Sequence, residues 1–135
     1  MPFAQIWIYS GKSDEYRHAV LDGVESAIIE ALSISGPNVF QALTEMEPGK
    51  FRRAGQPSEN FTLIEINLFA GRPLEIKKRL YKAIAENLQK SPGIRGSDLV
   101  ILLQESGREN WSVRDGLPAS ETGRPSEAET SPRGC

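Results

Sequence analysis

The chain reads as an α+β domain of two tandem βαβ units, which together form a four-stranded sheet with two helices on one face. Three observations predict this. Residues 62–69 alternate large apolar side chains with others, the period of a half-buried strand, and stop at Ala70-Gly71-Arg72-Pro73. An apolar stripe at three-and-four spacing follows, the mark of an amphipathic helix. The same succession also stands sixty positions earlier, where Ile6 meets Ile66, Tyr9 meets Phe69, Gly11 meets Gly71 and Lys12 meets Arg72. The single offset continues without a gap through Val24 with Ile84 to Glu45 with Glu105, so the chain is a tandem repeat.

In order, residues 3–9 are a short strand rich in Ile, Trp and Tyr. Gly11 makes the turn, Ser13 caps a helix, and Asp14 and Glu15 complement its dipole. The stripe Tyr16, Val20, Val24, Ala27, Ile28 and Leu32 carries that helix to Leu32, where Ser35-Gly36-Pro37 ends it. Residues 38–45 form the second strand, and a strand–helix–strand unit of this kind is right-handed with parallel strands. Residues 47–60, punctuated by Gly and Pro, are a loop with a short pairing expected around Phe51.

The second unit repeats the first. It has a strand over 62–69, a helix from Pro73 at its first position to Lys90, and a strand over 98–104. Ile76, Leu80, Ala83, Ile84 and Leu88 are its core stripe, and Lys77, Lys78, Arg79 and Lys82 read as a solvated face. The domain spans 2–116, with repeats at 2–46 and 61–106. Residues 117–135 hold one leucine and no aromatic residue, too little to bury, and are expected to be disordered.

A chain of 135 residues, 39% hydrophobic and 25% charged, fits one small soluble domain. A net charge of −2 offers no electrostatic footprint for nucleic acid or an anionic membrane. No apolar run approaches the ~20 residues of a membrane helix, no signal pattern opens the chain, and Cys135 is the single cysteine. The cytosol is the expected compartment. Both helices on one sheet face leave the other face needing a partner surface, which an oligomer supplies.

The sequence rules out several chemistries. Ser10-Gly11-Lys12-Ser13 lacks the first glycine of a phosphate loop, whose position holds Ile6. His18, the single histidine, has no second His or Cys near it, so neither a metal site nor a nucleophile pair can be assembled. Pro2 remains. Removal of Met1 would expose its secondary amine. An α-amino group ordinarily titrates near ~7.7–8.0, and an apolar pocket lowers that value toward a base usable at neutral pH. If the two first strands pair antiparallel about a pseudo-twofold axis, with paired positions summing to about 72, Pro2 lies opposite Ala70 and Arg72 stands just beyond. A guanidinium there can grip a carboxylate bidentately.

Met1-Pro2 opening a strand, the duplicated βαβ unit, Phe69-Ala70-Gly71-Arg72 before the second helix, and Asp98-Leu99-Val100-Ile101 leading to Glu105 and Asn110-Trp111-Ser112 together resemble the tautomerase superfamily. The likeness covers residues 2–116 and is nearest its longer-chain branch around malonate semialdehyde decarboxylase. It implies a homotrimer with no metal or organic cofactor, acting on a small keto or enol carboxylic acid. It makes Pro2 the catalytic amine, Arg72 the carboxylate anchor and Trp111 part of the pocket wall. Three positions depart from the decarboxylase pattern: Ala70 replaces the first of two arginines, Asn38 replaces an acidic residue, and Val113 replaces an aromatic. Asn38 can hydrogen-bond a substrate carbonyl or a water but cannot act as a general base. Keto–enol proton transfer survives these losses. Decarboxylation or hydration of a short 3-oxo or unsaturated acid is the alternative, and a non-enzymatic binding or scaffold trimer is the rival from another class, with Arg72 then bonding the last carbonyls of a neighbouring strand.

Overall fold

In the computed structural model, which describes residues 2–122, the chain forms the expected two units. Strand β1 (Phe3–Tyr9) leads through helix α1 (Asp14–Leu32) to β2 (Phe40–Met46). Strand β3 (Thr62–Phe69) leads through α2 (Leu74–Lys90) to β4 (Leu99–Ser106). The sheet order is β2-β1-β3-β4, parallel within each unit and antiparallel where β1 meets β3.

Alternation decides which face is buried. Ala4, Ile6 and Ile8 of β1 and Ile64, Ile66 and Leu68 of β3 are at most 1% exposed and pack against Val20, Val24 and Ile28 of α1 and Leu80, Ile84 and Leu88 of α2. Both helices therefore cover one face. Their stripes are the expected ones, with Tyr16, Ile76 and Ala83 only partly buried at the edge. The helices approach closely at Gly23, whose carbonyl accepts from Asn87 Nδ2 at 3.0 Å. A Cβ there would stand 2.9 Å from a Leu88 methyl. The opposite sheet face, carrying Phe3, Trp7, Phe40, Leu63, Val100 and Leu102, is turned away from α1 and α2.

The sixty-residue offset extends to side chains. Arg17 binds Glu45 at 2.8 Å, and Lys77 binds Glu105 at 2.9 Å, each tying a helix to the outer strand of its unit. Lys77 thus leaves the solvated face proposed for it. Gly11 and Gly71 both have positive φ, 100° and 124°, and turn the chain from strand to helix. Ser13 caps α1 by accepting from the Tyr16 amide. Pro73 differs from expectation. Its ψ of 164° is extended and its carbonyl accepts from Lys77, so it is the N-cap and Leu74 is the first helical residue.

Two further corrections concern the loops. In place of the pairing expected around Phe51, residues 48–50 form a single 3₁₀ turn and Phe51 packs on aromatic rings. Residues 117–122, counted with the disordered tail, carry structure. Asp115 and Gly116, with φ of 59° and 71°, make a tight turn pairing Arg114 with Leu117, and α3 (Ala119–Thr122) follows. Ala119 is buried and its amide donates to the Trp111 carbonyl at 2.7 Å, which anchors the segment. The rest of that tail, 123–135 with Cys135, and Met1 lie outside the described residues.

Candidate active site

Strand direction gathers the residues singled out above. The start of β1, the start of β2 and the ends of β3 and β4 all fall at one end of the sheet. Pro2 is buried there, and its carbonyl accepts from the Phe40 amide at 3.0 Å. Phe3 pairs with Asn67 and Gln5 with Glu65, so paired positions sum to 70, not 72, and the register continued by one residue sets Pro2 beside Leu68 instead of Ala70. A two-residue slip keeps every side chain on the same face, which is why hydrophobic pattern could not tell the registers apart.

Arg72 stands three residues past Phe69, half-buried, and its Nη1 donates to the Phe69 carbonyl at 3.3 Å. The structural reading of Arg72 expects a bond to a neighbouring strand; the acceptor here is the end of β3, the strand Arg72 itself follows. Trp111 is held twice: Nε1 donates to Ser106 Oγ at 3.0 Å, and its ring meets that of Phe69 at 5.3 Å and 73°. Asn38 sits in the 3₁₀ turn Gly36–Asn38 just before β2, with Nδ2 bonded to Ser35 Oγ at 3.0 Å. Contacts join Arg72 and Trp111 through Phe69, and strand pairing brings Pro2 alongside. Asn38 shares the end of the sheet, while its recorded side-chain bond is to Ser35.

One residue at this end escaped the sequence reading. Arg108, in the 3₁₀ turn Arg108–Asn110 after β4, lays its guanidinium over the Phe69 ring at 4.4 Å from the centroid. The offset that matched Tyr9 with Phe69 also matches turn 48–50 with turn 108–110 and Phe51 with Trp111. Extending the repeat into the loops would have located Arg108 beside an aromatic pair.

The opposite end of the sheet shows what the repeat alone builds. Tyr9 meets Phe51 edge-on at 5.1 Å, as Phe69 meets Trp111, and the Tyr9 hydroxyl donates to the Phe51 carbonyl. Lys12, the counterpart of Arg72, is bonded to Asn60 Oδ1 at 2.7 Å and lies over the Tyr16 ring. Asp98, the counterpart of Asn38, is 7% exposed. Burial first, then the carboxylates of Asp98 and Glu59, push the Tyr16 phenol above its ordinary pKa. Thr62 occupies the place of Pro2, and its nitrogen is a peptide amide that cannot serve as a base. An α-amine at a strand start could arise at the Pro2 end alone, and only on removal of Met1. A groove between α1 and α2, bordered by Glu15, His18, Asp22, Asn87 and Lys90, lies on the helical side and holds none of these residues.

Fold and site together define a tautomerase-type domain. Two family profiles, both described as tautomerase enzyme, match residues 38–114 and 2–60; the first spans more than half of the chain, which therefore belongs to the tautomerase superfamily. The FG41 malonate semialdehyde decarboxylase, solved inhibited by 3-bromopropiolate, is 34% identical with a TM-score of 0.80, over 89% of this chain and 94% of that one. The probable tautomerase YusQ of Bacillus subtilis (strain 168) is 27% identical, over 86% of this chain and 95% of its own. A fused 4-OT solved as a symmetric trimer shares the fold at a TM-score of 0.82 and 24% identity, covering 90% of this chain and 99% of that one.

Proposed function

We propose that this chain is a cofactor-independent tautomerase acting on a small carboxylate-bearing keto or enol acid, with Pro2 as the general base and acid. After removal of Met1, the neutral amine of Pro2 takes the enol proton and returns it to carbon, so the reaction balances without another reagent. Arg72 holds the substrate carboxylate, Trp111 walls the pocket, and Asn38 hydrogen-bonds the substrate carbonyl or a water. The observation that carries this reading is the burial of Pro2 at the sheet end where β3 delivers Arg72. Burial disfavours the charged amine and so favours the basic form.

The working assembly we infer is a cytosolic homotrimer, supported by the apolar sheet face turned away from α1 and α2 and by the trimeric relative. A second reading has one specific observation behind it: the 34%-identical relative is a malonate semialdehyde decarboxylase. Ala70, Asn38 and Val113 tell against that chemistry here. Assay of the processed protein against a panel of enol acids and 3-oxo acids decides between them. Ketonisation without carbon dioxide release supports the tautomerase; release from 3-oxo acids alone replaces it with the decarboxylase. No turnover of either class leaves the scaffold reading.

A further inference from the structure

Trp111 is seated by both its backbone and its ring. Its amide donates to the Arg108 carbonyl at 3.2 Å, its carbonyl accepts from the Ala119 amide at 2.7 Å, and its Nε1 donates to Ser106 Oγ at 3.0 Å. We propose that Ser106 is a positioning residue: by taking the indole N–H it fixes Trp111 as an apolar plate, which selects keto or enol acids carrying a flat apolar substituent. This rests on the tautomerase reading, in which Trp111 walls the pocket, and names the kind of acid that pocket takes.

Strand pairing explains why a serine at 106 can do this. Ser106 is the last residue of β4 and stands opposite Phe69. Its carbonyl accepts from the Ala70 amide at 2.9 Å, so the sheet fixes its backbone. Directly paired residues face the same side, which sets the hydroxyl alongside Phe69. The 3₁₀ turn Arg108–Asn110 brings Trp111 back to that spot, where its ring meets Phe69 edge-on and its nitrogen meets Ser106.

The bond has two consequences. Indole has one N–H and no acceptor. With that donor committed to Ser106, the ring has no hydrogen bond to give a substrate and meets it as apolar surface alone. The bond also restrains the side-chain torsions of Trp111, so a substrate that packs on the ring does not have to order it first. Seating an aromatic ring at this point of the repeat needs no such bond. In the first unit Met46 and Phe51 stand in the places of Ser106 and Trp111. There the Phe51 ring lies edge-on to Tyr9 at 5.1 Å and stacks on Phe61 at 4.9 Å, while the Tyr9 hydroxyl holds its carbonyl.

The test uses the full chain with Met1 removed and compares Ser106→Ala, which loses the acceptor, with Ser106→Thr, which keeps it. The indole N–H proton resonance of Trp111, assigned by its persistence in Trp7→Phe, should move upfield in Ser106→Ala and return in Ser106→Thr. KM for the enol of phenylpyruvate should rise roughly fivefold in Ser106→Ala, the scale of one neutral hydrogen bond, with kcat changed by less than about twofold. KM for the enol of oxaloacetate, which carries no apolar group, should stay unchanged, and Ser106→Thr should restore the phenylpyruvate value. An unmoved resonance, a KM rise equal for both acids, no rise at all, or a threonine variant as impaired as the alanine one overturns the proposal. Should Ser106→Ala fail to fold, Ser106→Cys, similar in shape with a weak acceptor, carries the same comparisons. Calorimetric titration with phenylpyruvate separates this proposal from the reading it rests on. Binding that Ser106→Ala weakens, in a protein that turns over neither enol, sinks the tautomerase reading and keeps the positioned plate. Turnover of the oxaloacetate enol alone, or turnover indifferent to Ser106, does the reverse. A parent that neither binds nor turns over either acid overturns both.

Discussion

Gln5 pairs with Glu65 across the antiparallel seam between β1 and β3. The two residues are sixty positions apart, so each faces its own counterpart in the repeat, and the pseudo-twofold axis of the protomer passes between them. The two ends of the sheet are therefore equivalent in backbone and different in chemistry. One end has Pro2, Arg72, Arg108 and Trp111. The other has an internal threonine, a lysine bonded to Asn60, and a buried aspartate. The repeat supplies the scaffold, and its asymmetry sets the end proposed for catalysis apart from the other.

Arg72→Ala should separate substrate binding from folding. The bond to the Phe69 carbonyl is long, at 3.3 Å, and lies at a strand end, so that bond by itself contributes no more than about 1 kcal/mol to stability. Loss of a charge-assisted carboxylate contact should cost about 1.5–3 kcal/mol of transition-state stabilisation, read as a fall in kcat/KM. Kinetics and thermal melting on the same preparation check this. A large drop in Tm with kcat/KM intact would return Arg72 to a structural role.

Tyr16 gives a pH prediction. In the folded chain its phenol titrates above the ordinary 10.0, first because burial opposes the phenolate and then because Asp98 and Glu59 repel it. The unfolded chain releases that proton near pH ~10. A folded pKa above the unfolded one contributes stability that is fully present below pH ~10 and is lost as pH rises through the folded value. Tyr16→Phe should abolish this part of the alkaline loss. Its hydroxyl is buried without a hydrogen-bond partner among the described residues, so the substitution should be neutral or stabilising by about 1 kcal/mol at pH 7. Denaturant titrations of both proteins at pH 7 and pH 11 test it, and a variant that parallels the parent at both values refutes the assignment.

Much of the fold was legible because both levels of pattern agreed. Strand alternation, helix stripes and the sixty-residue offset all describe the same two units, and helix α1 ends at Leu32 as its stripe predicts. What stayed hidden had no periodic signature. A slip of two residues leaves alternation intact, so the β1–β3 register required coordinates. Pro73 satisfies the sterics of either N-cap or first helical residue. Residues 117–122 looked too polar to order, yet Asp115-Gly116 is a tight-turn dipeptide and one buried alanine beneath Trp111 holds the segment. Arg108 is exposed, and an exposed charge in a turn reads as solvation until its aromatic neighbour is seen.

Assembly is tested by size. The face turned away from α1 and α2 presents Phe3, Trp7, Leu63, Val100 and Leu102, with Phe40 42% exposed. Burying such a face between copies should give a sedimenting species of about three times 14.9 kDa at micromolar concentration. Leu63→Glu, placed on this face away from the helices, should shift the protein toward monomer while far-ultraviolet circular dichroism is retained. A parent that sediments as a monomer contradicts the trimer.

Pro2 is the residue on which the proposed chemistry turns, and three measurements bear on it. A proline nitrogen acylated by Met1 is an amide without basicity, so intact-mass analysis of active protein should find Met1 absent. Full activity with Met1 in place would remove Pro2 from the mechanism. Pro2→Ala leaves a primary amine of different basicity and shape at the same strand start, so kcat should fall without vanishing and the pH optimum should move. An amine-alkylating reagent at neutral pH should mark Pro2 ahead of the lysines, because an ordinary lysine, with a pKa near ~10.4, is almost wholly protonated there and an α-amino group is not. Burial at the strand start should widen that difference by disfavouring the charged amine. Arg72→Ala should leave labelling largely intact if the guanidinium acts on the substrate, and should slow it if the guanidinium also lowers the amine's proton affinity. Uniform labelling of Pro2 and the lysines would mean that no perturbed amine exists, and the duplicated fold would then be a binding scaffold.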